Sequence, residues 1–174
     1  MDDSFFAYLQ QLEIMVFFSG YPLVYALVIA AAGKKPATNS IGHKAVSVLP
    51  FAYALVGTLF LGFQLKKLYP DYSFEHINSS VQIPWLVLWG LLSILFWIPA
   101  IAKRKILSLI HSLVFFFFLV KDLFIQLSSS SANSDMIKND KNIYTTSLLI
   151  NLGAFVLIFG AYYLYTRFTK STVS

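Results

Sequence analysis

The sequence predicts an all-α fold, a polytopic membrane helix bundle of about five transmembrane helices that make up one integral membrane domain over residues 1–174. Three observations lead there. The chain is 57% hydrophobic and only 12% charged, with a mean hydropathy of +0.69, whereas a soluble domain needs roughly a quarter charged residues to cover its exterior. Apolar runs of about 20 residues, enough to cross a hydrocarbon layer of roughly 30 Å, recur along the chain. Basic residues gather in pairs and triplets at the ends of these runs. The net charge of +5 therefore reads as membrane topology, and nucleic acid is excluded as a partner in favour of the lipid bilayer.

The first span is expected over about 12–32, stopped by Gly33-Lys34-Lys35-Pro36, and the second over about 45–65, stopped by Lys66-Lys67. A third, about 81–102, opens at Pro84-Trp85, where a first helical turn tolerates proline, and ends at Lys103-Arg104-Lys105. The fourth covers about 106–127 and contains the Phe115–Phe118 run. Between Ser128 and Asn142 the chain turns to Ser, Asn, Asp and Lys, the composition of an exposed loop, and the fifth span follows over about 143–168. The connections are too short to hide a soluble domain. No internal repeat is visible, and five spans do not divide into the equal inverted halves from which many transporters are built.

Five spans put the termini on opposite sides. Lys34, Lys35, Lys44, Lys103, Arg104, Lys105, Arg167 and Lys170 then share one side with no acidic residue. Asp2, Asp3, Asp71, Glu75, Asp135 and Asp140 lie on the other beside Lys66, Lys67, Lys138 and Lys141. By the positive-inside rule the N-terminus is outside and the C-terminus cytoplasmic, in what is expected to be a bacterial inner membrane. Met1-Asp2-Asp3 lacks the basic start of a cleavable signal, so the first span is expected to stay in the membrane. Tyr162, Tyr163, Tyr165 and Trp85 fit interfacial aromatic belts.

Ionisable groups inside a bilayer are costly and are functional candidates by default. Glu13 lies near the outer end of the first run, and Lys121 and Asp122 lie inside the outer end of the fourth. One reading pairs Glu13 with Lys121 between neighbouring helices, with Asp122 as second partner or as a proton- or ion-sensitive group. The other lets Lys121 snorkel to the interface and leaves the carboxylates in headgroup water. His111 can act as haem ligand, proton relay or interhelical hydrogen-bond donor. With His43 and His76 assigned to loops on opposite sides, no histidine pairs with it inside the membrane, and a structural role is favoured.

Pro22, following Ser19-Gly20-Tyr21 near mid-membrane, should kink the first helix. Pro50 and Gly57 in the second span point the same way, to packing. In the fifth, Asn151 offers a polar contact, and Gly153 and Gly160, seven apart, form a small-residue face that should meet another helix.

With no Cys, disulfides, zinc-thiolate and iron–sulfur sites and thiol catalysis are excluded. No nucleophile, phosphate-loop or metal-binding motif is present, so neither enzymatic activity nor a metal or other cofactor is expected. Asn78-Ser79-Ser80 matches a glycosylation sequon, relevant only in a eukaryotic secretory pathway. Phe115–Phe118 and much of the third span are apolar all round, which argues against a wide aqueous pore.

The block Phe17-Phe18-Ser19-Gly20-Tyr21-Pro22-Leu23-Val24-Tyr25, after an acidic outer terminus, resembles the first span of small multi-span bacterial proteins that accompany TonB-type, proton-driven energy-transducing motors. The resemblance covers that span alone and carries over no functional residue. It implies other membrane protein subunits as partners. The function expected is an accessory or structural subunit of a larger inner-membrane complex. The rival expectation is a small transporter or channel, in which Ser19, Tyr21, His111, Asn151, Lys121 and Asp122 would have to converge into a polar path; a membrane enzyme would need several of them around one pocket.

Overall fold

The computed structural model describes residues 3–33, 40–128 and 134–171, and every regular element among them is helical. The helices are α1 (Asp3–Phe18), α2 (Tyr21–Ala32), α3 (Ile41–Leu68), α4 (Phe74–Ser80), α5 (Pro84–Leu91), a 3₁₀ stretch (Leu92–Trp97), α6 (Pro99–Ala102), α7 (Ile106–Ser128) and α8 (Ser134–Ser171). Four helical stretches are long and apolar enough to cross a membrane: Tyr8–Ala32, which joins α1 to α2, Ile41–Leu68, Ile106–Ile125 and Lys141–Thr169.

Two boundaries differ from the sequence reading. Helix α8 begins at Ser134, inside the stretch expected to be loop. Residues 134–142 contain no Gly or Pro, so a helix nucleated by the span propagates outward through them at little cost. Between α3 and α5, the short helix α4 starts at Ser73, whose hydroxyl accepts from His76 N–H (3.3 Å) as an N-cap. The Ser73 N–H (2.9 Å) and hydroxyl (3.0 Å) both donate to Asp71, holding its carboxyl below the usual carboxylate range.

The third apolar run is not one regular helix. After two turns of α5 the chain tightens into 3₁₀ winding, where the Ser93 hydroxyl donates to Gly90 O at 2.6 Å. It then extends at Ile98 (φ −75°, ψ 118°), the conformation that the following Pro99 imposes, and re-enters a single helical turn, α6. Throughout, this segment runs antiparallel along α3. Gly90 packs against Phe60, Ser93 against Gly57, and Trp97 Nε1 donates to Thr58 Oγ1 at 2.9 Å while its ring meets Phe51. A Cβ on Gly57 would collide with the Ser93 side chain, so glycine permits this approach. At the far end, Ala102, Lys103 and Lys105 line one cavity with His43 of α3 and Tyr165 of α8, which places those three regions at the same end of the bundle.

The core is largely aromatic. Phe18, Tyr21, Tyr53, Phe60 and Phe115 are fully buried; Phe18 stacks on Phe115 (4.7 Å between centroids) and meets Tyr53 and Phe60 edge-on. Large apolar side chains also stay outside: Leu27, Trp85, Leu88, Phe117, Phe124, Leu149 and Leu157 are all more than half exposed. Such a surface suits hydrocarbon as solvent.

Candidate functional site

The polar groups of the interior gather where the first span breaks. Helix α1 ends at Phe18 and α2 restarts at Tyr21 with Pro22 in its first turn, where a missing N–H costs no hydrogen bond. Ser19 closes the end of α1 by donating its hydroxyl to Met15 O (2.7 Å). Gly20 N–H donates across to Ser147 Oγ of α8 (2.8 Å), and the Asn151 amide donates to both Phe17 O (2.7 Å) and Ser147 O (2.8 Å). The broken helix is thus mended by α8, one turn of which supplies both side chains. Contact is as close as backbone allows: a Cβ on Gly20 would lie 2.5 Å from Leu148 N and 2.7 Å from Leu148 Cα.

At the next residue, the buried Tyr21 hydroxyl lies 2.8 Å from Ser108 Oγ of α7, and Ser108 in turn donates to Lys105 O. The Tyr21 ring lies 4.4 Å, centroid to centroid, from Tyr53 of α3, whose hydroxyl bonds His111 Nδ1 of α7 at 2.7 Å. The imidazole stacks flat on Trp89 of α5 (4.8 Å, 4°), and Trp89 Nε1 donates to His111 O at 3.3 Å. The junction therefore ties α2, α3, α5, α7 and α8 together through directional bonds between groups that have no water to compete for them. Two atoms in it, His111 Nε2 and Asn151 Oδ1, are buried without a hydrogen-bond partner among the described residues.

The structure redistributes the charged candidates. Glu13 does not pair with Lys121; its carboxylate meets Lys67 Nζ of α3 at 2.7 Å. Asp122 accepts from Gln11 Nε2 of α1 (2.8 Å), and Lys121, on the neighbouring position of α7, is exposed. Similar depth does not imply a shared face, because successive positions on a helix point about 100° apart. Both members of the Glu13–Lys67 pair keep about a third of their side chains exposed (34% and 32%). E13Q is accordingly expected to change stability by less than about 1 kcal/mol in detergent unfolding. Of the packing candidates, Gly20 and Pro22 lie at the junction, where the polar candidate Asn151 bonds Phe17 O, and Pro50 is buried within an uninterrupted α3. Gly153 and Gly160 do not meet another of the described helices: among the described residues nothing lies within 4 Å of a Cβ on either. Lys34 and Lys35 lie outside the described residues, as do the side chains of Asp135, Lys138, Asp140 and Lys170.

Several residues of the junction were not singled out from sequence: Tyr53, Trp89, Ser108 and Ser147. Ser147 alone carried a legible signal, standing four residues before Asn151 and so on the same helix face. No group of three or more His, Asp or Glu able to hold a metal occurs among the described residues. Comparison with known protein families, with curated proteins and with solved structures found no match.

Proposed function

We propose that this chain is a non-enzymatic accessory or structural subunit of a larger inner-membrane complex, crossing the bilayer five times with its N-terminus outside. The observation that carries this reading is the open face of α8. The longest helix in the fold is the least enclosed of the four long spans, with 17% of its most apolar stretch buried against 56% for α3, and no described residue packs against Gly153 or Gly160 on it. Small residues let helix backbones approach closely, and that is the main source of helix association where lipid removes the hydrophobic drive. The likeness of the first span to proteins that accompany TonB-type motors makes a proton-motive-force-driven complex the first partner class to examine.

The fifth crossing is supported by the pairing of Pro84–Ala102 with α3. At about 1.5 Å per residue in α-helix and about 2.0 Å in 3₁₀ winding, the segment reaches roughly 30 Å, the thickness of the hydrocarbon layer. The assembly of His43, Lys103, Lys105 and Tyr165 at one end supports the same count, because four crossings would leave Lys103 at the end where α3 stops.

The test is size in a mild detergent after extraction from native membranes. The chain is expected to migrate with a partner membrane protein, and G153L/G160L is expected to release it as a single 19.6 kDa chain in its micelle while helical content stays unchanged. A wild-type chain that already runs alone contradicts the reading. A small transporter is the second reading, favoured by the unpartnered His111 Nε2 and Asn151 Oδ1 beside a broken helix. Solute flux into vesicles holding the purified chain, abolished by N151L, would support it over the first.

A further inference from the structure

We propose that the cavity between the start of α3, the Pro99–Lys105 link and the last turns of α8 holds an anionic phospholipid, its phosphate against Lys103 and Lys105 and part of an acyl chain along the apolar wall. The cavity measures about 650 Å³, inside the range of roughly 300–1,000 Å³ typical of small-molecule sites. Its two walls differ in chemistry. Lys103, Lys105 and His43 supply cationic and donor groups, and among the described residues no Asp or Glu lines the space. Val48, Phe51, Trp97 and Ile158 supply the apolar side.

Each half excludes a class of occupant. A soluble anion would satisfy the lysines but leave the apolar wall exposed, and a neutral lipid would cover that wall but leave two ammonium groups without a counter-charge. A lipid whose phosphate headgroup carries a net negative charge, with no cation of its own to offset it, satisfies both. Depth agrees, since Trp97, Tyr162 and Tyr165 are residue types that settle at the headgroup level and all three line the cavity. Basic pockets between membrane helices on the cytoplasmic side bind anionic headgroups for the same reason. The inference rests on the proposed topology for its cytoplasmic placement but not on the subunit reading: a chain that runs alone in detergent can still hold this lipid.

The test uses the full chain, stripped of lipid in detergent and titrated with phosphatidylglycerol, with phosphatidylcholine of the same acyl chains, and with inorganic phosphate, read by native mass spectrometry. One phosphatidylglycerol per chain is expected. Each lysine is worth about fivefold in affinity for an anionic headgroup, so K103Q/K105Q should weaken binding roughly thirtyfold without changing the weaker binding of phosphatidylcholine. A161W, which keeps both lysines and fills the cavity from the exposed Ala161 of α8, should also lose the bound lipid. Helical content measured on each variant shows whether it has folded. Equal affinity for the two lipids, unchanged binding in a folded K103Q/K105Q or A161W, or displacement of the lipid by millimolar inorganic phosphate would each overturn the proposal, the last by making the occupant a soluble anion.

Discussion

Gly20→Ala is expected to destabilise the protein by about 3 kcal/mol, the upper end of what one inserted methyl group costs in a packed interior. The size follows from what the methyl would strike. Its nearest neighbours would be Leu148 N at 2.5 Å, with Leu148 Cα and Ser147 C at 2.7 Å, all backbone atoms of α8. A side chain could rotate away; a helix backbone has to move as a body. Displacing α8 also lengthens the Gly20 N–H to Ser147 Oγ bond and the Asn151 bond to Phe17 O, so the steric cost and the loss of polar pairing fall together. The control is Gly153→Ala on the same helix. With open space around that position, and with alanine the better helix former by up to about 1 kcal/mol, the isolated chain should be unchanged or stabilised. Reversible unfolding of both variants in mixed micelles measures the difference, and equal effects would mean that the α1–α2 junction and α8 do not touch at Gly20.

Tyr53→Phe is expected to cost about 2 kcal/mol, because it deprives the buried His111 ring of the one side-chain hydrogen bond it makes among the described residues. His111→Phe should cost a comparable amount by orphaning the Tyr53 hydroxyl, although it keeps an aromatic surface against Trp89. The double variant decides the cause. If the bond accounts for the losses, Y53F/H111F should be closer to wild type than the sum of the singles, since removing both partners leaves no buried polar group unsatisfied. Additive losses would instead assign the effect to ring packing.

Which features could be read from sequence follows from what lipid does to the pattern. Span positions were legible because length and bounding charge or polar residues suffice to mark them: the four long spans lie close to the runs expected over about 12–32, 45–65, 106–127 and 143–168. The break at Gly20–Pro22 was legible because proline imposes its geometry locally. Helix rotation was not. In water, a polar face shows which way a helix points; in hydrocarbon both faces are apolar, so nothing in the sequence turned Gly153 and Gly160 outward, or aimed Glu13 at Lys67. Lys67 was read as the end of the second span and as an outer-side charge, although it also supplies the partner that one reading gave to Lys121. The 3₁₀ stretch was hidden for a related reason, since a run apolar on every side carries no period to separate three residues per turn from 3.6. The junction around Tyr53 and His111 needed the order of helices in space, which one sequence does not encode in a readable form.

The most direct measurement is the sidedness of two single-cysteine reporters, Asp71→Cys and Arg104→Cys, each in a chain that has no cysteine of its own. Both positions are exposed, one just after α3 and the other between α6 and α7. If Pro84–Ala102 crosses the bilayer alongside α3, an impermeant maleimide added to sealed, oriented vesicles should label one reporter, and the other only after the vesicles are opened. Labelling of both from the same side would mean four crossings, and would contradict the orientation and the grouping of basic residues on one face.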